Sequence, residues 1–399
     1  MRGIKVGSAF GIPIKLNWTF LIILPLFAAI IGWDISQLAE VLNQIFGADM
    51  DPAALEGTYR PWILGFAAAV GLFVGVLLHE FGHSLVAMRY GYEIDSITLW
   101  LLGGLASFTE FPEDWRHEFW IAVAGPIVSI GVGVVSYIIF LATPPGVDAA
   151  LFLFGYLALL NVVLAVFNML PAFPMDGGRV LRALLARNRP HAQATQIAAE
   201  IGKMFAFLMG LFGLLVFSPI LILLAFFIYI AASSEAQQTT IKAAFEDVTV
   251  SDVMTQGEDL RTVSPETRIS ELMERMFRER HTGYPVVERG ELVGMVTLDD
   301  ARDIKQVERD AYRVEDVMSQ TLTTVTPETN AMEALQTIQR ERVGRLPVVD
   351  ETGQVVGIIS RTDLMTAFDI IQTTGSPATF TDRVLGPGER QADYEQDRY

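Results

Sequence analysis

The chain has 399 residues, 51% of them hydrophobic, and a formal charge of -17. That acidity argues against a nucleic-acid partner, and the absence of cysteine excludes disulfides and thiolate metal sites. Apolar residues concentrate before Ser234 and most of the negative charge falls after it, so a membrane half precedes a water-soluble one.

Basic residues (Arg2, Lys5 and Lys15) precede a long apolar run with no small-residue cleavage site, which predicts a retained first span over about 16–33. A polar, mostly acidic loop is expected over 34–61. The second span runs from Trp62 to about Met88. The stretch "YEIDSITLWLLGGLASF" alternates weakly around Gly103-Gly104 and reads as strands with a turn. Such backbone is tolerated at membrane depth only when buried in protein or lining a cavity. Spans three and four are expected at 119–143 and 151–170. A single helix over 202–234 would be about 50 Å long, against a hydrocarbon core of about 30 Å. Pro219 offers a break, which predicts a hairpin of two short spans and six spans in all. Lys and Arg concentrate before span one, between spans two and three, and between spans four and five. This pattern predicts a multi-pass plasma-membrane protein with both termini in the cytoplasm.

The second span ends in "LLHEFGHSLVAM", residues 77–88. Ionisable groups at membrane depth are costly and usually carry function. His79 and His83 are four apart, so a helix puts both imidazoles on one face, with Glu80 beside them to take a proton from an attacking water. This is the HExxH arrangement of zinc metalloproteases. A third protein ligand is then needed. Asp176, in "NMLPAFPMDGGRVLRALL", leaves the fourth span. Taken alone, Asp-Gly-Gly reads as a turn and helix cap; its place at the membrane edge favours a ligand. His117 reads as an interfacial residue and His191 as a loop residue. Asn161 and Asn168 share one helix face, where they line the site or bond a neighbouring helix; only Asn168 is assigned to the site.

HExxH in the second span, the Gly-Gly strand loop, "AGP" at 124–126 and "NMLPAFPMDGGR" together resemble the site-2 proteases, and "GIPIKLNWTFLI" resembles that family's start. The resemblance covers residues 1–234. It implies one zinc ion per chain held by His79, His83 and Asp176, with Glu80 catalytic. It also implies that the substrate is itself a membrane-spanning segment, with Asn168 near the active site and Gly103-Gly104 against substrate strands. Many relatives carry histidine where Asn17 stands, which leaves the zinc site intact.

After a linker at 235–247, two copies of one pattern follow, with a period of about 62–64 residues. Both carry "VSPET" or "VTPET", then "PVV", then Gly-x-x-Thr/Ser-x-x-Asp. Each copy reads strand, helix, strand, strand, helix. The pattern resembles a tandem CBS pair over 248–371, its copies at 248–308 and 312–371. That resemblance implies a nucleotide cleft between the copies, an adenine nucleotide by default. Thr297 with Asp300, and Ser360 with Asp363, match positions that bind phosphate and ribose hydroxyls. The plainer reading is that these residues cap helices and that the pair is a dimerising scaffold for a homodimer. Residues 372–399 read as a disordered acidic tail.

The expected fold is therefore a polytopic α-helical membrane protein of about six spans, with a small strand loop between spans two and three, followed by a soluble α/β CBS pair. The leading function is an intramembrane zinc protease tuned by nucleotide. A CBS-regulated transporter or channel is the alternative, but it leaves HExxH and Asp176 without a role. A silent membrane scaffold is a third reading, against which the intact Glu80 speaks.

Overall fold

The computed structural model describes residues 3–100, 103–108, 112 and 114–374. The chain separates into two compact units, Met1–Gln237 and Gln238–Tyr399.

The first unit opens with a hairpin of β1 (Ile4–Ala9) and β2 (Ile12–Leu16). Phe10 and Gly11 form its turn, both at positive φ, as tight hairpin turns require. The first span expected from about residue 16 begins later: Leu16 ends β2, and α1 starts at Phe20. Helices α1 (Phe20–Trp33) and α2 (Ile35–Phe46) follow, then the short α3 (Pro52–Leu55) and the long α4 (Arg60–Arg89). The expected polar loop at 34–61 is thus largely helical. Ile35, Ala39 and Leu42 recur every three to four residues and are buried, which gives α2 an apolar face to lay on the bundle.

Strands β3 (Ile94–Trp100) and β4 (Gly103–Phe108) come next. Gly103 and Gly104 lie in β4 itself rather than in the turn. The four strands form one sheet in the order β1-β2-β3-β4. β2 runs parallel to β3, pairing Ile14 with Ile97 and Leu16 with Leu99. β3 and β4 are antiparallel, pairing Trp100 with Gly103.

The unit finishes with α5 (Trp115–Ala142), α6 (Asp148–Asn168), α7 (Asp176–Ala186), α8 (His191–Leu215) and α9 (Pro219–Ala244). Among the described residues, five helices (α4, α5, α6, α8 and α9) are long and apolar enough to cross a membrane; the pair α1 and α2, bent by 72°, makes up to six. The expected hairpin at Pro219 is present, with the proline at the first position of α9, where its missing N–H is not needed. The flanking helices are longer than expected: α8 begins at His191, and the presumed linker 235–247 is helical as far as Ala244.

Helix α4 packs closely on three neighbours through small residues, the usual means of close approach in membranes. A Cβ on Gly65 would lie 2.3 Å from the Ala28 carbonyl oxygen of α1, one on Gly75 2.5 Å from Asn161 Oδ1 of α6, and one on Gly82 2.8 Å from the Ala124 carbonyl oxygen of α5. The main buried cluster joins Ile31, Leu42, Leu55, Ala68, Phe140 and Phe152.

In the second unit, the first repeat holds β5 (Thr255–Gln256), α10 (Ile269–Glu279), β6 (Gly283–Glu288), β7 (Glu291–Thr297) and α11 (Leu298–Arg302). The second holds α12 (Ala331–Glu341), β8 (Arg345–Val349), β9 (Val355–Ser360) and α13 (Arg361–Thr374). The repeats exchange their opening segments. β5 of the first pairs with β9 of the second, and Ser319 of the second bridges to Met295 on β7 of the first. Val250 is accordingly buried in a cluster with Val325, Leu335, Leu346 and Leu364, and Val314 in one with Ile269, Leu272, Tyr284 and Val296. Gln372 to Thr374, expected in the tail, belong to α13; the rest of the predicted tail lies outside the described residues.

Candidate metal centre

His79 and His83 leave α4 on one face, their rings edge to face with centroids 4.7 Å apart, as a spacing of four dictates. Both are buried. Each ring is held through Nδ1, which for His79 lies 2.9 Å from Ser129 Oγ and for His83 2.6 Å from the Ile121 carbonyl oxygen. A carbonyl can only accept, so His83 carries its proton on Nδ1 and turns a lone pair inward at Nε2. Both anchors belong to α5. The two Nε2 atoms are 3.1 Å apart, and Asp176 Oδ2 is 3.1 Å from that of His79 and 3.2 Å from that of His83. Among the described residues, these are the one group of three His, Asp or Glu side chains whose ligand atoms meet.

With Ser129 accepting as Ile121 does, three lone pairs converge, and they repel one another unless a cation stands between them. Ligand atoms about 2.0–2.1 Å from a tetrahedral ion are about 3.3 Å from each other. Gly125 of α5 supplies the room. A Cβ there would lie 2.2 Å from His83 Nε2 and 2.7 Å from His79 Nε2, so any larger residue would press on both ligand nitrogens. Two imidazoles and a carboxylate, without thiolate, suit zinc.

Asp176 is the first residue of α7, and the cap position before it belongs to Met175. The aspartate is therefore not the helix cap that Asp-Gly-Gly suggests in isolation. The two glycines serve close approach. A Cβ on Gly177 would sit 2.3 Å from the carbonyl oxygens of Met169 and Leu170, and one on Gly178 2.7 Å from the carbonyl carbon of Ala172. The chain leaving α6 folds back against the start of α7, and this holds Asp176 over the histidine pair.

Glu80 is half-buried on α4. Strand β4 lies against it: a Cβ on Gly104 would be 2.3 Å from Glu80 Cγ and 2.9 Å from Oε1. The Gly-Gly strand and the acid beside the histidines, far apart in sequence, are thus brought into contact.

The other expected residues are placed elsewhere. Asn168 is the last residue of α6, with its amide donating to the Leu164 carbonyl. Asn161 is fully buried, donates to the Leu157 carbonyl and, among the described residues, has no partner at Oδ1. Asn17 Oδ1 accepts from the backbone N–H and hydroxyl of Thr19, which turns the chain from β2 into α1. His117 stacks on Tyr90 and meets the Tyr92 hydroxyl, while His191 faces Glu118. In the second unit, Asp300 Oδ2 accepts from the N–H and hydroxyl of Thr297 at 2.8 and 2.6 Å, and Asp363 Oδ2 from those of Ser360 at 2.8 and 2.7 Å. Both pairs cap the helices that follow. Sequence reasoning missed Gly125, Ser129 and the Ile121 carbonyl as parts of the site; "AGP" was the available signal.

Residues 67–152 and 146–209 match Peptidase family M50, and residues 250–305 and 314–370 match the CBS domain. A zinc metalloprotease of Methanocaldococcus jannaschii is 36% identical over 369 residues, 92% of this chain and 97% of its own. A protein of Synechocystis sp. is 30% identical over 385 residues, 91% of this chain and 95% of its own. A solved site-2 protease from Methanocaldococcus jannaschii is 37% identical, with a TM-score of 0.41, and covers 59% of this chain and 95% of that one. Likeness along nearly the whole length of the first two places the chain in family M50, the site-2 proteases: it is a membrane-embedded zinc metalloprotease carrying a CBS pair.

Gly125→Ala is expected to abolish metal retention and proteolysis, because its methyl group would collide with both ligand nitrogens. Gly131→Ala, on the same helix with open space around it, is the control. It should keep both, and gain about 0.5–1 kcal/mol of stability from removing a helical glycine. Metal analysis and thermal unfolding of the two purified variants provide the check.

Proposed function

We propose that His79, His83 and Asp176 hold a single zinc ion and that Glu80 is the base for hydrolysis of a peptide bond within a membrane-spanning substrate. The observation that carries this reading is the convergence of three ligand atoms within 3.2 Å around the space left by Gly125. Zinc in such a site polarises a carbonyl and lowers the pKa of water to about 7. Glu80 takes the proton of the attacking water on its carboxylate and delivers it to the departing amide nitrogen. His83 keeps its Nδ1 proton on the Ile121 carbonyl throughout, so its ring does not turn.

A helical peptide bond is shielded by its own hydrogen bonds, so substrate must be extended where it is cut. β4 is an edge strand of its sheet, and its Gly104 lies against Glu80. An unpaired edge is a template for strand addition. We assign Gly103 and Gly104 to substrate contact on that ground, and Asn168 to the path beside the loop that leads to Asp176. Glu80 lies about 14 Å along α4 from its end at Arg89, at 1.5 Å per residue. Water would reach it from that end, which we assign to the cytoplasm of a plasma-membrane protein with both termini inside, on the strength of the Lys and Arg excess.

For the CBS unit we propose adenine-nucleotide binding that tunes cleavage. The two capping aspartates use Oδ2 alone for their caps; no hydrogen bond to Oδ1 occurs among the described residues. A carboxylate oxygen so placed suits a ribose hydroxyl. Arg345 stands between the repeats, donating to the Gly283 carbonyl and to Thr282 Oγ1, and offers a cation to a phosphate. To change the rate, a nucleotide must bind two states of the protein unequally; a tenfold preference is worth about 1.4 kcal/mol.

Glu80→Gln keeps the size of the side chain but cannot take the proton, so cleavage of a membrane-protein substrate should vanish while zinc stays bound; turnover at the normal rate would remove Glu80 from the chemistry. A reporter fused after Thr374 should read as cytoplasmic, and an external signal would reverse the orientation. Calorimetry with ATP or AMP on the full chain should show binding that Asp300→Ala with Asp363→Ala weakens at least tenfold. No heat at millimolar nucleotide would leave those residues as helix caps alone.

A further inference from the structure

Away from the metal centre, three charged side chains meet inside the membrane unit. Arg182, on α7, donates from Nε and Nη2 to Glu118 Oε1 of α5, each at 2.6 Å, and from Nη1 to Glu235 Oε1 of α9 at 2.6 Å. Glu118 is 4% and Arg182 6% exposed. The guanidinium also covers the ring of Phe173, 5.1 Å from its centroid. Among the described residues Glu118 Oε2 makes no hydrogen bond; it faces His191 Nε2 at 3.7 Å.

Stability is a weak explanation for such a cluster. Buried ion pairs and triads are often replaced by apolar residues without loss, because desolvation offsets their attraction. What distinguishes this one is the set of parts it ties together. α7 begins with Asp176, six residues before Arg182. α5 carries Ile121 and Ser129, which orient the two histidines, and Gly125, which leaves them room; Glu118 is one turn from Ile121. Phe173 belongs to the segment between α6 and α7 whose backbone at Ala172 and Phe173 abuts Gly178. The histidines are registered to α5, the aspartate to α7, and Arg182 joins those two helices.

We propose that Arg182 is a positioning residue for the metal centre: by holding Glu118 and Phe173 at once it sets Asp176 Oδ2 against the two imidazoles, with Glu235 fixing the remaining arm of the fork. The proposal rests on the zinc assignment above. A guanidinium is required because its planar donors reach two carboxylates in fixed directions, whereas a lysine ammonium is a flexible point charge.

The test uses the full chain in detergent, with zinc affinity measured by chelator competition and thermal unfolding measured on the chelated protein. Arg182→Lys keeps the charge and loses the fork. Zinc affinity should fall tenfold to a hundredfold, the usual effect of removing a group that orients ligands, while the zinc-free protein unfolds near the wild-type temperature. Glu235→Gln, which alters the most exposed member of the cluster, should weaken zinc in the same direction by less, and it serves if the lysine variant does not fold. A folded Arg182→Lys or Glu235→Gln protein that binds zinc as tightly as wild type overturns the proposal, as does a loss confined to zinc-free stability. Wild-type protein that holds no zinc overturns the metal assignment and this inference with it.

Discussion

Two imidazole nitrogens and a carboxylate oxygen stand within 3.2 Å of one another inside an apolar bundle, and much of the membrane unit is arranged to make that convergence possible. The histidines come from α4 and the aspartate from α7, while α5 supplies the atoms that orient the rings. Three helices cannot approach so closely with ordinary side chains between them. At Gly82, Gly125, Gly177 and Gly178 the neighbouring atoms stand where a Cβ would be. In lipid, such contacts stand in for a hydrophobic driving force that is absent between helices.

A sheet beside this centre meets a second constraint. Backbone polar groups at membrane depth need partners, and four strands in the order β1-β2-β3-β4 provide them except along the outer edges. β1 and β2 support β3, and β4 is held against Glu80. The outer strand of the sheet is thereby the one that lies beside the acid.

The centre was legible because its signals are local. HExxH needs only the spacing of a helix, and Asp176 stood where a span ends. The hairpin at Pro219 followed from length against bilayer thickness. The N-terminal hairpin was not legible. "IPIKL" runs straight into an apolar segment, and its alternation is too short to separate from the start of a span. Helix α2 was hidden by composition: Gln37, Glu40 and Gln44 break its apolar pattern, Val41 and Ile45 are apolar yet exposed, and the buried stripe of Ile35, Ala39 and Leu42 is only three residues long. Gly125 illustrates a different limit. A glycine that exists to leave space is recognisable only once the atoms facing it are known, and His79 lies 46 positions away. Thr297 with Asp300, and Ser360 with Asp363, make the helix-capping bonds that the plainer reading of their spacing predicts.

The exchange of opening segments between the CBS repeats has a consequence for biosynthesis. Gln256 pairs with Gly357, about a hundred residues further along the chain. At about 5–20 residues per second, the first repeat leaves the ribosome with Val250 and Met254 bare for roughly 5–20 seconds before β9 exists to cover them. Each repeat's opening segment is buried in the other's core, so those two clusters are complete only when both repeats are present. During that interval Val250 and Met254 lack the strand that covers them in the folded pair.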